Sequence, residues 1–339
     1  MRQGHQSWVF PSRPVIVGSA AIGGPFEAKG PLADDFDTLH GDLMMGQDSW
    51  EKAEKLLLEE ACDKAVEKAT LRKDDIHFLL AGDLTNQLIT ASFSARTLGI
   101  PYLGLFGACS TAMESLALGA LLVDSQSADY VLAATASHNG SAEKQYRYPT
   151  EYGSQKPPTA QWTVTGAGAA VVARQGKGPQ VVAATIGRVV DMGLSDPFNM
   201  GAAMAPAALA TLEAHFRDLG LPHDHYDLVV TGDLGKVGHS ILSELLPKHN
   251  LHIPLDRYQD CGRMIYGDNP TVWSGGSGCG CVATVTYGHL LNRMRAGAWK
   301  RMLVVATGAL LSPISYQQGE SIPCIAHAVA IEAEPNEEG

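Results

Sequence analysis

The stretch that decides the fold is GACSTAMESLALGALL, residues 107–122, in which a glycine turn and a cysteine lead into an apolar segment. A related stretch, GSGCGCVATVTYGHLL, occupies residues 276–291. In both, a turn of small residues precedes apolar residues at helical spacing, which is the pattern of a buried helix. Cys109 is therefore predicted to lie where a strand ends and a helix begins.

The segments around these two stretches also repeat, and they do so in the same order. HFLLAGDL at 77–84 matches DLVVTGDL at 227–234, YVLAATAS at 130–137 matches RMLVVATGA at 301–309, and AAVVA at 169–173 has its counterpart at 325–330. Apolar strands that alternate with helical segments are typical of α/β proteins with crossover helices. The sequence thus predicts a duplicated chain with halves 1–178 and 179–339, joined through the linker 174–180.

Within the first half, apolar spacing predicts a helix from Asp48 to about Ala69, with Asp48 and Glu51 at the spacing of a capping box. Strands are predicted over 76–81, 102–106 and 130–136. The polar segment 137–161 is predicted to be a long loop, and structureless loops of this length are usually functional.

The composition of the chain indicates which classes of partner and cofactor to expect. The chain has 25 Lys and Arg against 36 Asp and Glu, a net charge of −11, so nucleic acid is not an expected partner. Six irregularly spaced cysteines indicate a reducing compartment rather than a disulfide framework. Cys279 and Cys281 lack a second ligand pair, so we expect no metal and no other cofactor. Without a signal-peptide pattern or a long apolar stretch, we expect a soluble protein.

A duplicated α/β chain with Cys109 in a GACS junction and a GAGAA turn at 166–170 resembles the thiolase superfamily, particularly ketoacyl synthase III and chalcone synthase relatives. The resemblance covers nearly the whole chain. It implies a thiolase-like fold, with two pseudo-repeated α/β halves in α-β-α-β-α layers, and a homodimer formed through the strand near the nucleophile. In that family the cysteine acts with a histidine and usually an asparagine from the second half.

The predicted position of Cys109 has two interpretations. A helix N-terminus lowers the pKa of a thiol through its dipole and free amides, and those amides can hold an oxyanion. A cysteine there can equally be a small buried side chain.

The second half departs from the family pattern. Asp233 stands in Gly-Asp-Leu at 232–234 where the resemblance implies the histidine, and His239 follows in a predicted helix. The turn 274–281 has no amide side chain where the asparagine is implied, and Asn269 comes too early. Because a nearby carboxylate raises a thiol pKa, we expect a non-catalytic binding protein on a degenerate site. The alternative is an acyl-transfer or condensing enzyme with Cys109 as nucleophile and His138 or His239 as base.

Longer matches narrow the resemblance to a sporulation family of spore-forming bacteria. They are AGDLTNQ at 81–87, FGACSTAMESL at 106–116 and the insert at 136–168. The resemblance implies a peripheral member of a complex on the cytoplasmic side of the forespore inner membrane, which moves dipicolinic acid (pyridine-2,6-dicarboxylate) or its calcium chelate into the spore. Its implied partners are that ligand and the integral-membrane components of the complex.

A flat dicarboxylate requires a narrow slot with amide or cationic donors. The predicted ligand-binding residues are Asp83, Cys109, Ser110, Thr111, His138, Arg147 and Asp233. The amides at 109–111 would bind a carboxylate at the helix N-terminus, unless the hydroxyl of Ser110 or Thr111 caps them.

The other predicted residues also carry alternatives. Asp83 and its repeat partner Asp233 have two interpretations. They either face the binding crevice that the thiolase resemblance implies, where a proton or Ca²⁺ must offset their charge, or cap local amides. His138 and Arg147 either donate to a carboxylate or lie on a solvated surface, as does Lys144. Ring stacking and interface packing remain open for the aromatic residues Tyr146, Tyr148, Tyr152 and Trp162.

Overall fold

The structure is a computed structural model that describes residues 1–146, 148 and 155–334. The central strands are β1 (Val15–Gly23), β2 (Phe78–Gly82), β3 (Tyr102–Gly104), β4 (Tyr130–Ser137), β5 (Gly166–Ala173), β6 (Gln180–Thr185), β7 (Leu228–Thr231), β8 (Tyr258–Asp260), β9 (Arg301–Ala309) and β10 (Cys324–Glu332). The helices are α1 (Trp50–Lys68), α2 (Ile89–Leu98), α3 (Thr111–Asp124), α4 (Asn139–Tyr146), α5 (Met200–Leu219), α6 (Gly235–Lys248), α7 (Cys261–Met264), α8 (Cys279–Thr284), α9 (Leu291–Arg295) and α10 (Pro313–Gln317). Of the short strands, Ser7–Val9 pairs with β6 and with Arg2–Gln3, and Thr38–Leu39 pairs with β1. Trp162–Thr163 and Gly276–Ser277 pair with each other in a separate two-stranded sheet.

Strands β6–β10 repeat the arrangement of β1–β5. The order across the sheet is β8-β7-β9-β10-β6-β1-β5-β4-β2-β3, so each half contributes five adjacent strands in equivalent positions. In each half the last strand, β5 or β10, is antiparallel to both neighbours. The two halves meet at β6 and β1, where Gln180 pairs with Val15. The predicted α/β class with two pseudo-repeated halves is confirmed.

Helices and strands form five layers, and three apolar clusters hold neighbouring layers together. Alternate residues of each strand point to opposite faces of its sheet. One face of the first-half strands packs on α1 and α2, and one face of the second-half strands packs on α5 and α6. The inner faces of both halves pack on α3 and on the helical stretch 279–295. The two central helices are joined by the Tyr287 hydroxyl, which donates to the Ala112 carbonyl at 3.1 Å.

The helical stretch 279–295 is not uniform. Between α8 and α9, residues Val285–Leu290 form a π-helical turn, and both of its junctions keep helical backbone angles. Its first turn faces α3 across the central layer. The stretch thus brings the glycine turn before Cys279 close to the turn before α3.

Several predicted boundaries were wrong. Helix α1 begins at Trp50 and is capped by Ser49, whose Oγ accepts from the Lys52 amide, while Asp48 instead pairs with the Lys52 ammonium. The strand predicted at 76–81 is Phe78–Gly82, and that predicted at 102–106 ends at Gly104. The segment 137–161 contains α4 rather than being a loop throughout.

The described ranges contain no helix that is long and apolar enough to cross a membrane.

Candidate functional site

Cys109 lies in a tight turn between β3 and α3, against the second half of the chain. Ala108 before it has a φ of 50°, an uncommon conformation for a residue with a side chain. The turn packs directly on β9, because a Cβ at Gly308 would lie 2.2 Å from the Gly107 carbonyl oxygen. Cys109 is 7% exposed, whereas the other five cysteines are fully buried.

The carboxylate of Asp233 approaches Cys109 from the second half. Its Oδ1 accepts from the Thr307 hydroxyl at 2.8 Å and its Oδ2 accepts from the Gly278 amide at 2.9 Å. Gly278 has a φ of 104°, which directs its amide inward at the start of α8. The Cys109 thiol also hydrogen-bonds to this carboxylate. The structure therefore brings together Cys109 and Asp233, two of the residues named from sequence.

This contact holds the cysteine in its neutral form. Burial raises the pKa of the Cys109 thiol well above its usual range, and the negative charge of Asp233 raises it further. Burial also raises the pKa of Asp233, while hydrogen bonds, first from Cys109, oppose that rise. We interpret the pair as a thiol that donates to a carboxylate. A reactive cysteine instead needs a neighbouring cation or base that stabilises the thiolate.

The hydroxyls of Ser110 and Thr111 contact the turn itself. Ser110 Oγ donates to the Gly107 carbonyl at 2.6 Å, and Thr111 Oγ1 donates to the Ala108 carbonyl at 2.7 Å. The amides of the same two residues donate to the same carbonyls, at 3.1 and 3.2 Å. The expectation that these amides face a ligand is therefore wrong for this structure, because the turn uses them internally.

Asp83 is also not at the crevice. Its Oδ1 accepts from the amide and hydroxyl of Thr85, and its Oδ2 accepts from the Ala91 amide in the first turn of α2 at 2.7 Å. Of the two interpretations from sequence, the structure supports the turn and helix cap, since both carboxylate oxygens accept hydrogen bonds from Asp83's own half.

The candidate bases are occupied elsewhere. His138 is buried, its Nε2 bonds the Leu43 carbonyl and its Nδ1 accepts from the Gly140 amide, both at 2.9 Å. Burial lowers the pKa of His138, so the ring is neutral. His239 stacks on Tyr258 at 4.3 Å. Neither histidine lines the cavity beside Cys109.

The remaining loop residues have varied environments. Lys144 forms an ion pair with Glu51 at 2.7 Å, and the Tyr146 hydroxyl donates to the Leu84 carbonyl. Tyr148 is exposed. Arg147 and Tyr152 lie outside the described residues.

A small cavity of about 50 Å³ adjoins Cys109. It is lined by Leu84, Ala108, Cys109, Ala142, Glu143, Tyr146, Thr163, Met200, Ser277, Ala309 and Leu311. This volume holds a few water molecules, far less than an aromatic ring with two carboxylates requires. Sequence reasoning missed the wall formed by α4, although the Ala, Glu, Lys and Gln of NGSAEKQY are good helix formers.

A buried cation lies behind this wall. The ammonium of Lys156, whose side chain is 1% exposed, contacts the carboxylate of Glu143 at 2.5 Å. It also lies over the rings of Trp162 and Trp273, at 5.0 and 5.3 Å from their centroids. Trp162 thus packs internally, and Glu143 links a positive charge to the cavity.

The described residues include no group of three or more His, Cys, Asp or Glu side chains arranged to hold a metal ion. Cys279, one of the CxC cysteines, donates to the Ala136 carbonyl at 2.9 Å.

Comparison with known proteins identifies the family. A family model described as Stage V sporulation protein AD (SpoVAD) matches residues 4–332. Stage V sporulation protein AD of Bacillus subtilis (strain 168) is 50% identical over 330 residues, which cover 97% of this chain and 97% of the relative. The chain belongs to the SpoVAD family. The resemblance drawn from AGDLTNQ, FGACSTAMESL and the long insert is confirmed.

Solved structures place this SpoVAD family member in a known fold. A variant of OleA from Xanthomonas campestris matches with a TM-score of 0.64 and 15% identity, covering 95% of this chain and 97% of that one. The 3-oxoacyl-[acyl-carrier-protein] synthase III of Aquifex aeolicus VF5 matches with a TM-score of 0.53 and 16% identity, covering 94% and 99%. At these identities the likeness shows the fold alone. It confirms the predicted thiolase-like fold.

Proposed function

We propose that this sporulation protein is a non-catalytic binding protein for dipicolinic acid, which acts in uptake of that ligand into the developing spore. One observation carries the non-catalytic part. The Cys109 thiol donates to the Asp233 carboxylate, and the described cavity lining includes no histidine, lysine or arginine. Such a site stabilises a neutral thiol, whereas condensing chemistry needs a thiolate.

The proposed ligand site is the crevice between the halves, and it requires an opening movement. The present cavity of about 50 Å³ is too small for the ligand. Its wall includes α4, which carries Glu143. Outward displacement of α4 would enlarge the cavity without moving the strands of the central sheet.

The charge of Asp233 favours the calcium chelate as ligand. A dianion placed beside a buried carboxylate is repelled unless a proton or Ca²⁺ lies between them. In the proposal, Ca²⁺ arrives with dipicolinate and meets the oxygen atoms of Asp233.

Calorimetric titration with dipicolinate, with and without Ca²⁺, tests this function. We expect saturable binding that Ca²⁺ strengthens and that Cys109→Ala and Asp233→Asn both weaken at least about tenfold. Asp48→Asn, which removes an exposed carboxylate, is the matched control and keeps wild-type affinity. Absence of heat at millimolar ligand would contradict the proposal.

The alternative is an acyl-transfer or condensing enzyme that uses Cys109. It is favoured by the solved relatives, since one is named as a synthase. Incubation with acyl-CoA or acylated carrier protein, followed by intact-mass spectrometry, separates the two functions. A Cys109-linked acyl group would support the enzyme, while unmodified protein that binds dipicolinate supports the carrier.

We further propose a homodimer formed through β3, on the cytoplasmic side of the forespore inner membrane beside integral-membrane components of the complex. β3 is an edge strand. Leu103 lies on β3, Phe106 follows it, and Ile89 and Phe93 lie on α2; all four are exposed apolar side chains. Unpaired apolar edges favour association. Analytical ultracentrifugation should show a dimer, and Leu103→Asp should dissociate it. Leu255→Asp changes another exposed leucine and should leave the dimer intact. A monomeric wild-type protein would overturn this proposal.

A further inference from the structure

A wide groove on the side of the molecule opposite Cys109 collects positive charge. Arg301 begins β9, whereas Thr307 near the other end of that strand contacts Asp233, so the groove and the crevice lie at opposite strand ends. The groove has a volume of about 1020 Å³. Its basic residues are Arg13, Lys177, Arg295, Lys300 and Arg301, against the carboxylates of Glu332 and Glu334. This is a local excess of cations in a chain whose net charge is −11.

Three of these cations form no ion pair with a described residue. One of them, Arg295, still feels the negative charge of Asp37, which opposes the lowering of its pKa by burial. Arg13 is neutralised by an ion pair with Glu332. Arg295 instead donates to the Ser19 hydroxyl at 3.2 Å, and Arg301 approaches His225 Nδ1 at 3.4 Å. Among the residues the structure describes, neither arginine forms an ion pair, and Lys300 forms none either.

A further observation at the groove points to a missing anion. The indole Nε1 of Trp299 is buried and has no acceptor among the described residues, which is uncommon for a buried donor. The groove therefore combines a positive potential with an unused hydrogen-bond donor.

We infer that this groove binds a phosphate-bearing ligand, either a free phosphate compound or a phospholipid headgroup. A phosphate group offers several acceptor oxygens and more than one charge, which suits guanidinium and ammonium groups arriving from separate segments. The indole of Trp299 supplies an additional donor beside them. This site is independent of the proposed dipicolinate crevice.

The test compares two double variants of equal charge. Arg295→Gln with Lys300→Gln removes two groove cations, and Lys29→Gln with Lys248→Gln removes two exposed cations elsewhere. Each full-length protein is titrated with pyrophosphate and with adenosine diphosphate by calorimetry. Each is also co-sedimented with vesicles of phosphatidylglycerol in phosphatidylcholine, with pure phosphatidylcholine vesicles as blank. Matched thermal unfolding midpoints establish that the variants are folded.

We expect wild-type binding to at least one phosphate probe, weakened by added salt and reduced about tenfold or more in the groove variant alone. Binding to vesicles only identifies a headgroup, and binding to soluble probes only identifies a free phosphate. No binding at low salt, or equal losses in both double variants, would overturn the inference. The inference would also be overturned if the groove variant lost dipicolinate binding while its phosphate binding stayed unchanged.

Discussion

Asp83 and Asp233 occupy equivalent places in the two halves, each within Gly-Asp-Leu after a strand, yet they have different roles. Asp83 accepts from two amides and a hydroxyl of its own half, which fixes the start of α2. Asp233 bonds Gly278, Thr307 and the Cys109 thiol. The difference arises because the Cys109 turn packs on β9 beside Asp233.

Replacing Asp233 should make Cys109 more reactive. Asp233→Asn removes the negative charge that raises the thiol pKa, and a lower pKa gives more thiolate at a fixed pH. We expect iodoacetamide to alkylate Cys109 about tenfold faster at pH 8 for each unit by which its pKa falls. Peptide mass mapping separates Cys109 from the five fully buried cysteines. Asp83→Asn is the control, and equal rates in wild type and Asp233→Asn would contradict the assigned contact.

Glu27 should make stability depend on pH. Its Oε1 accepts from the Tyr266 hydroxyl and the Thr165 amide, while its buried Oε2 has no partner among the described residues. Burial raises the pKa of Glu27 to about 7. The folded state thus holds a proton more tightly than the unfolded state, so this stabilisation is complete below about pH 4.5 and is lost as the pH rises to about 7.

Urea unfolding at pH 5 and pH 8 measures this loss. Between these values, wild type should lose up to about 3 kcal/mol of unfolding free energy relative to Glu27→Gln, whose amide cannot ionise. Glu67→Gln, at an exposed position, should follow wild type. Parallel pH profiles for wild type and Glu27→Gln would show that Glu27 is ionised in the same range in both states.

At the scale of single elements, local hydrogen bonds determine where helices begin. The cap of helix α1 lies one residue later than the Asp48 and Glu51 spacing predicts, because Ser49 adopts an extended conformation and its hydroxyl accepts a hydrogen bond from the Lys52 amide. Helix α4 follows β4 at Asn139–Tyr146, where the overall polarity of the segment predicted a loop. Both differences involve polar residues that suit a helix and a turn alike.

Ser49→Ala should therefore destabilise the protein more than Asp48→Ala. Loss of a serine cap costs about 1 kcal/mol of unfolding free energy. Asp48 contributes an exposed ion pair with Lys52, so its removal should leave that free energy nearly unchanged. Chemical denaturation of both variants checks the assignment, and the reverse order of effects would restore Asp48 as the cap.

At the scale of the whole molecule, the two halves depend on close backbone contact around the crevice. Gly308 of β9 lies against the Cys109 turn of the first half, with no room for a Cβ. The central helices α3 and 279–295 pack between the strands of the two halves. Small residues at these contacts position Asp233 beside Cys109.

Gly308→Ala should weaken this contact. The new methyl group would meet the Gly107 carbonyl oxygen at 2.2 Å, so the turn or β9 must move. We expect a loss of about 1–3 kcal/mol in unfolding free energy and weaker dipicolinate binding. Gly41→Ala, where a Cβ has no neighbour within 4 Å, is the matched control. An unchanged Gly308→Ala protein would mean that the halves adjust at no cost.

The sequence by itself determined the α/β class, the duplication, the junction at Cys109 and the family, because these depend on periodicity, repeat order and long motifs. It also singled out Asp233, which the structure brings into contact with Cys109. Only the tertiary structure decided that Asp83 caps a helix, that His138 is held by backbone groups and that Ser110 and Thr111 bond within their own turn. Those choices depend on which partners lie within hydrogen-bond distance after folding, and residues far apart in the chain, such as Cys109, Asp233 and Gly278, meet only when both halves pack on the central helices.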